Sequence, residues 1–67
     1  MAFMGFYKVL ADYRDPRQAG FQGPAEGFTD AADRAADMAL RERNTLRVVC
    51  VMRCRDGVIV AAHSLAL

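Results

Sequence analysis

The chain has 67 residues, a net charge of +1 and a hydrophobic fraction of 54%. This length suits one small domain, residues 1–67, near the lower limit at which a chain can bury a core of its own. Nine basic against eight acidic side chains disfavour a typical nucleic-acid binder, because such proteins bind largely by neutralising phosphates. The same balance argues against an acidic mimic of DNA.

Neither end of the chain has the pattern of a targeting or membrane-spanning segment. The opening MAFMGFYKVL lacks the basic start and the small-residue cleavage site of a signal peptide. The later apolar run VIVAAHSLAL is too short to span a bilayer. Two cysteines in such a chain are expected as reduced thiols, so we expect a cytoplasmic protein without membrane contact.

Residues 3–14, FMGFYKVLADYR, predict a first strand, since they are rich in aromatic and β-branched side chains. Tyr7 and Tyr13 share one face of this strand, and we favour either the core or an aromatic anchor for protein contact for them. On an open face they could instead stack on bases. Residues 15–28 hold three glycines and both prolines, which predicts a loop. A short strand around Phe21 is an alternative within that loop.

A helix is predicted over residues 30–43, where apolar and charged side chains recur with helical spacing. Thr29 or Asp30 can cap its first turn, and Asn44 is a reasonable stop. Two ion pairs at i,i+4 spacing support the helix, Asp30 with Arg34 and Asp37 with Arg41. The broad apolar face consists of Ala31, Ala32, Ala35, Ala36, Met38, Ala39 and Leu40.

Residues 45–66 predict a β-hairpin, because Asp56-Gly57 between two alternating apolar runs is a strong signal for a two-residue turn. If Arg55 and Val58 flank that turn, alternation places one almost wholly apolar set of side chains on a single face. We assign this face to the core beneath the helix. Its members are Leu46, Val48, Cys50, Met52, Cys54, Ile59, Ala61, His63 and Leu65.

The other face of the hairpin is predicted to be open, because one helix can cover only one side of a sheet. Exposed valines bordered by arginines favour a surface that binds a partner. An ordinary solvated face is the alternative, and a slip of one residue in register would exchange the two faces. The predicted partner-binding residues are Arg47, Arg53, Arg55, Val49, Val51, Val58 and Val60.

The two cysteines and the single histidine predict neither a catalytic nor a metal site. Cys50 and Cys54 would lie about 13 Å apart along a strand, too far for a disulfide or for one shared metal ion. Cys50 would face His63 across the hairpin, but this pair has no third catalytic member and supplies only two ligands for zinc. We expect no enzyme activity, no metal and no cofactor.

These elements predict an α+β fold in β-α-β-β order, with an antiparallel sheet of about three strands and one amphipathic helix packed on one face. The strand FYKVLADY, the helix FTDAADRAADMALRERN and the hairpin LRVVCVMRCRDGVIVAAHSL make up most of the chain. In this architecture and in its small size, the chain resembles small phage-encoded inhibitors, in particular type I anti-CRISPR proteins.

The resemblance implies a non-catalytic inhibitor that binds a CRISPR-Cas effector complex in the bacterial host cytoplasm and occludes a protein or DNA-binding surface. Many such inhibitors are strongly acidic and this chain is not, so occlusion is favoured over mimicry of DNA. A small nucleic-acid-binding or regulatory domain with an arginine-lined sheet face is the alternative, although direct nucleic-acid binding is less favoured. A homodimer in which the hairpin face predicted to be open, with its valines, packs against the same face of a second copy is a further alternative.

Overall fold

The computed structural model describes residues 6–65, which form four antiparallel strands and one helix. Along the chain these elements are β1 (Tyr7–Tyr13), β2 (Phe21–Ala25), α1 (Phe28–Arg41), β3 (Leu46–Arg53) and β4 (Val58–Ser64). The sheet order is β2-β1-β3-β4, so β1 and β3 are the central strands. The predicted α+β class is confirmed, with one strand more than the three expected.

The additional strand, β2, lies inside the segment predicted as a loop, where Phe21 suggested a short strand. Pro24 is compatible with β2 because this strand is at the edge of the sheet and need not donate to a second neighbour. Gly23 pairs with Val9, and a Cβ atom there would come within 2.7 Å of the Phe21 ring. Glycine therefore lets the Phe21 side chain fold back along its own strand.

The helix begins and ends two residues earlier than predicted. Gly27 is its N-cap in an extended conformation, so Thr29 and Asp30 lie within the first turn and the expected side-chain cap is wrong. Glu42, rather than Asn44, is the C-cap. Both predicted ion pairs are present, Asp30–Arg34 at 3.4 Å and Asp37–Arg41 at 3.1 Å.

The core lies between α1 and one face of the sheet, and it is built from small side chains. Ala31 and Ala35 are the buried residues of the helix, and their single methyl groups let the helix approach the strands closely. The buried apolar residues are Val9, Ala11, Ala25, Ala31, Ala35, Leu46, Val49 and Val51. Among residues 6–65, no aromatic ring belongs to this set, so the core is modest even for a small domain.

The helix covers the face of β3 that was predicted to be open. Val49 and Val51 are 0% exposed and pair with Ala11 and Val9 of β1. The assignment of these two valines to an exposed, partner-binding face is therefore wrong. The β3 residues that were assigned to the core but lie on the uncovered side are Val48, Cys50 and Met52.

A β-bulge at the start of β3 explains this exchange. The register between β1 and β3 shifts between Asp12 and Tyr13, and Tyr13 pairs with Leu46. Arg47 is the extra residue of the bulge, so Leu46 and Val49 share the helix side although they are three residues apart. Strict alternation from Leu46 would have placed the core on the wrong side of the strand.

The turn between β3 and β4 is also longer than predicted. It comprises the four residues 54–57, with Arg53 and Val58 as the flanking pair. Gly57 has a φ of +73° and donates its N–H to the Arg53 carbonyl at 2.8 Å. A positive φ favours glycine, which explains why a glycine ends this turn.

Arg14 links three chain segments at the far end of the sheet. Its Nε donates to the Leu46 carbonyl at 2.9 Å, and its Nη2 donates to the carbonyls of Arg43 and Leu65. One guanidinium therefore ties β1 to the entrance of β3 and to the segment after β4. Residues 3–5 of the predicted first strand and residue 66 of the predicted hairpin lie outside the described residues.

Two matched substitutions test the assignment of faces. Val49→Ala should lower the free energy of unfolding by about 2 kcal/mol, because two buried carbons are lost at about 0.8 kcal/mol each and a cavity remains. Val48→Ala makes the same chemical change on the uncovered face and should cost less than about 1 kcal/mol. Urea unfolding measures both, and a larger loss at Val48 than at Val49 would contradict the structure.

Candidate interaction surface

A cleft of about 420 Å³ opens at one end of the sheet. Three segments meet there because Tyr7, at the start of β1, pairs with Ala25 at the end of β2 and with Arg53 at the end of β3. We call this feature the aromatic–arginine cleft. Its lining residues are Phe6, Tyr7, Glu26, Gly27, Arg53 and Arg55.

The β3–β4 turn holds the Arg53 guanidinium in place at the cleft. Arg53 Nε lies 3.0 Å from Asp56 Oδ1, and Arg53 Nη2 lies 2.8 Å from Asp56 Oδ2. Asp56 Oδ1 also accepts the Val58 N–H at 3.2 Å. The hydrogen bond from Arg53 is the main reason that the pKa of Asp56 lies below its ordinary value, and the positive charge of Arg55 contributes further.

Aromatic rings form the other side of this region. Phe28 stands edge-on to Tyr7, with ring centroids 5.9 Å apart and an interplanar angle of 65°. Phe28 remains 44% exposed and Phe6 63% exposed. The Phe6 carbonyl accepts the Cys54 N–H at 2.8 Å, which ties the entrance of β1 to the turn.

The predicted partner-binding residues fall into separate groups. Arg53 and Arg55 line the cleft, and Val58, 45% exposed, is the cross-strand neighbour of Arg53. Val60 is half-buried and packs against the core. Arg47 lies at the other end of β3, about 20 Å away at the rise of a strand. The predicted set is therefore not a single surface.

Arg47 already has a partner within the chain. Its Nη2 pairs with Asp12 Oδ2, and both side chains are largely exposed. Asp12 is on the uncovered side of β1, so this ion pair marks one end of that side. Exposed ion pairs of this kind contribute little to stability.

Sequence reasoning did not place Phe6, Glu26 or Phe28 near the arginines of the cleft. Glu26 and Phe28 were within the predicted loop, and Phe6 belonged to a strand with no assigned neighbour. Only the pairing of β1 with both β2 and β3 brings these residues to Arg53. An aromatic residue beside a glycine at the start of a helix was the one local signal, and it is not specific.

The uncovered side of the sheet forms a second surface, which we call the open sheet face. Antiparallel pairing arranges it in three rows across β1, β3 and β4. The rows are Lys8–Met52–Ile59, Leu10–Cys50–Ala62 and Asp12–Val48–Ser64. Six of these nine residues are apolar, and Ile59 is 49% exposed.

The cysteines and the histidine do not come together. Cys50 pairs with Ala62, and His63 pairs with Val49, so the expected Cys50–His63 neighbours are wrong. Both thiols are free, and burial raises the pKa of the Cys50 thiol. Residues 6–65 contain no group of three or more side chains that could hold a metal ion.

Comparison of the chain with models of protein families, with curated proteins and with solved structures finds no match. Within the part of the chain that the structure describes, no helix has the length and apolar character needed to cross a membrane. Any function of this chain is therefore inferred from the chemistry of the aromatic–arginine cleft and of the open sheet face.

The Arg53–Asp56 pair makes stability depend on acid pH. The pKa of Asp56 is lower in the folded protein than its ordinary value of 3.8. The ion pair therefore stabilises the fold above pH 3.8, and this stabilisation is lost as the pH falls through the pKa that Asp56 has in the folded protein. Unfolding measured from neutral pH to about pH 2 should show a smaller acid-induced loss of stability in Asp56→Asn than in the wild type. Asp33→Asn, on the exposed side of α1, is the control. Identical acid profiles for Asp56→Asn and the wild type would contradict this role.

Proposed function

We propose that this protein is a non-catalytic inhibitor that binds a larger protein partner through the aromatic–arginine cleft. The observation that carries the proposal is the grouping of exposed Phe6 with Arg53 and Arg55 in the cleft, next to exposed Phe28, which contacts the cleft residue Tyr7. Aromatic and arginine side chains are enriched at protein interfaces, where they provide most of the binding free energy.

The cleft is well prepared to receive a side chain from a partner. Tyr7 and Phe28 offer apolar ring surface, and the ion pair with Asp56 fixes the Arg53 guanidinium before binding. A side chain that is already ordered loses less conformational entropy when the complex forms. Arg55 and Glu26 line the cleft with opposite charges, which favours a partner surface that presents both signs.

The class of partner comes from the resemblance to small phage-encoded type I anti-CRISPR proteins. On that basis we propose a subunit of a CRISPR-Cas effector complex in the bacterial host cytoplasm. A protein of 7.4 kDa is large enough to cover a standard interface on one subunit. Occlusion of a protein or DNA-binding surface is the proposed mode of inhibition, since the near-neutral charge does not suit mimicry of DNA.

The nucleic-acid-binding alternative is less favoured because two of its predicted contact residues form ion pairs within the chain. Arg47 meets Asp12 and Arg53 meets Asp56, so the positive charge of each guanidinium is offset by a neighbouring carboxylate, which weakens its attraction for a phosphate. The proposed arginine-lined sheet face also divides, because Arg47 and Arg53 lie at opposite ends of β3.

Binding to purified type I effector complexes tests this proposal. The wild type should bind stoichiometrically and block target DNA binding or cleavage. Arg55→Glu should weaken binding at least about tenfold, because a hot-spot arginine is replaced by the opposite charge. Arg55 suits this test because its side chain makes no hydrogen bond within residues 6–65, so the fold should be unaffected.

Arg43→Glu provides the matched control, since it makes the same change of charge at the opposite end of the sheet. Equal binding by wild type and Arg55→Glu would contradict a contact through the cleft. Failure to bind any type I complex would contradict the proposed partner. Binding to DNA or RNA alone, with affinity that falls steeply as salt rises, would instead favour the nucleic-acid alternative.

A further inference from the structure

We infer that the open sheet face is the interface of a homodimer, in which two copies pack face to face about a two-fold axis that runs across the strands. The axis passes over the middle row, so that Leu10 and Cys50 of one copy lie opposite the same residues of the other. This surface is separate from the aromatic–arginine cleft, and the inference is independent of the proposed partner.

The distribution of apolar residues is the first reason. Among residues 6–65, the largest fully buried side chain of the core is Leu46, whereas Leu10, Met52 and Ile59 lie together on the uncovered side. Exposed apolar groups in one contiguous patch mark interaction sites more often than scattered ones do. Since α1 covers the other side of the sheet, this patch must be covered from outside the described fold or face water.

The pattern of rows fits a second copy because it complements itself. In a two-fold interface, the contact of one residue with another occurs twice with the roles exchanged. An axis across the strands places the first row of one copy opposite the third row of the other, so that Met52 lies opposite Val48. It places the middle rows of the two copies opposite each other. Sheets packed with nearly aligned strands are a common arrangement, with about 10 Å between them.

The positions of the charged residues favour this axis over an axis that runs along the strands. Lys8 and Asp12 are the charged residues of the three rows, about 13 Å apart along β1. The axis across the strands brings each Lys8 to the Asp12 of the other copy, next to its ion pair with Arg47. An axis along the strands would keep each row on itself, so Lys8 would lie opposite the apolar Met52 or Ile59 instead of a carboxylate. The Lys8 side chain makes no hydrogen bond or ion pair within residues 6–65, so it can pair with Asp12 of a second copy without breaking an existing contact.

The area suits a weak, concentration-dependent dimer. The four strands contain 27 residues, each of which covers about 3.3 Å along the strand and about 4.8 Å across it. The flat footprint is then about 430 Å² for each copy and about 860 Å² in total, in the range of weak or transient interfaces. Both clefts of such a dimer stay accessible, because Tyr7 and Arg53 belong to the helix side of the sheet.

Sedimentation equilibrium tests whether the dimer exists and whether it uses this face. The wild type should show twice the 7.4 kDa monomer mass at high concentration. Met52→Lys should raise the dissociation constant at least about tenfold, because it would bury two unpaired charges. Leu40→Lys, at a 71% exposed position on α1, should leave it unchanged. A wild type that remains monomeric up to about 1 mM would overturn the inference, and so would a dimer that is lost in Leu40→Lys but kept in Met52→Lys.

Alkylation of cysteine tests the position of the axis and does not depend on a destabilising variant. In Cys54→Ser, the Cys50 thiol should react with a maleimide more slowly at a concentration at which the dimer forms than after dilution to the monomer, because the axis passes over Cys50. In Cys50→Ser, the reaction rate of Cys54 should not change on dilution, because Cys54 is on the turn, away from the axis. Protection that depends on concentration at Cys54 alone would overturn the proposed geometry. A reaction rate of Cys50 that does not change on dilution would also overturn it.

Discussion

One helix lined with alanine covers one side of this four-stranded sheet, and the rest of the molecule depends on which side that is. The small faces of Ala31 and Ala35 fit closely against Val9, Val49 and Val51. Such a core releases little free energy, because the side chains that it removes from water are small. Several large apolar side chains, among them Phe6, Phe28 and Ile59, stay exposed, and this explains why a short chain has two candidate interaction surfaces.

These two surfaces differ in chemistry and in position. The aromatic–arginine cleft is formed by three segments that meet at one end of the sheet, and it combines rings with guanidinium groups. The open sheet face is broad, flat and mostly apolar, with Lys8 and Asp12 at its two ends. A homodimer formed through the open sheet face would present two aromatic–arginine clefts. Such a dimer would bind a partner that has repeated subunits with greater avidity than a monomer would.

The sequence was sufficient for the elements that depend on local patterns. The helix was predicted because its apolar spacing, its acidic first turn and its i,i+4 pairs all agree, and both pairs form. β2 was harder to recognise, because a strand of five residues with Gly23 and Pro24 has the composition of a loop. This segment forms a strand because it pairs with β1, which lies earlier in the chain. No local feature of the sequence indicates that pairing.

The orientation of the hairpin could not be predicted for a different reason. Both faces of β3 are rich in apolar side chains, so composition does not distinguish them. The decision depends on the bulge at Arg47 and on a second register shift, between Val51 and Met52 in the pairing of β3 with β4, and each interrupts the alternation by itself. Arg53 and Arg55 were among the predicted contacts and they line the cleft, but the neighbouring aromatic residues come from segments that only the sheet brings together.

Nuclear Overhauser contacts from the helix methyl groups measure most directly whether α1 covers the Val49 and Val51 side of the sheet. We expect strong contacts from the Ala31 and Ala35 methyl groups to those of Val9, Val49 and Val51, and none to Val48 or Met52. Contacts from the helix to Val48 and Met52 would place the helix on the other side. Both the core and the open sheet face described here would then be wrong.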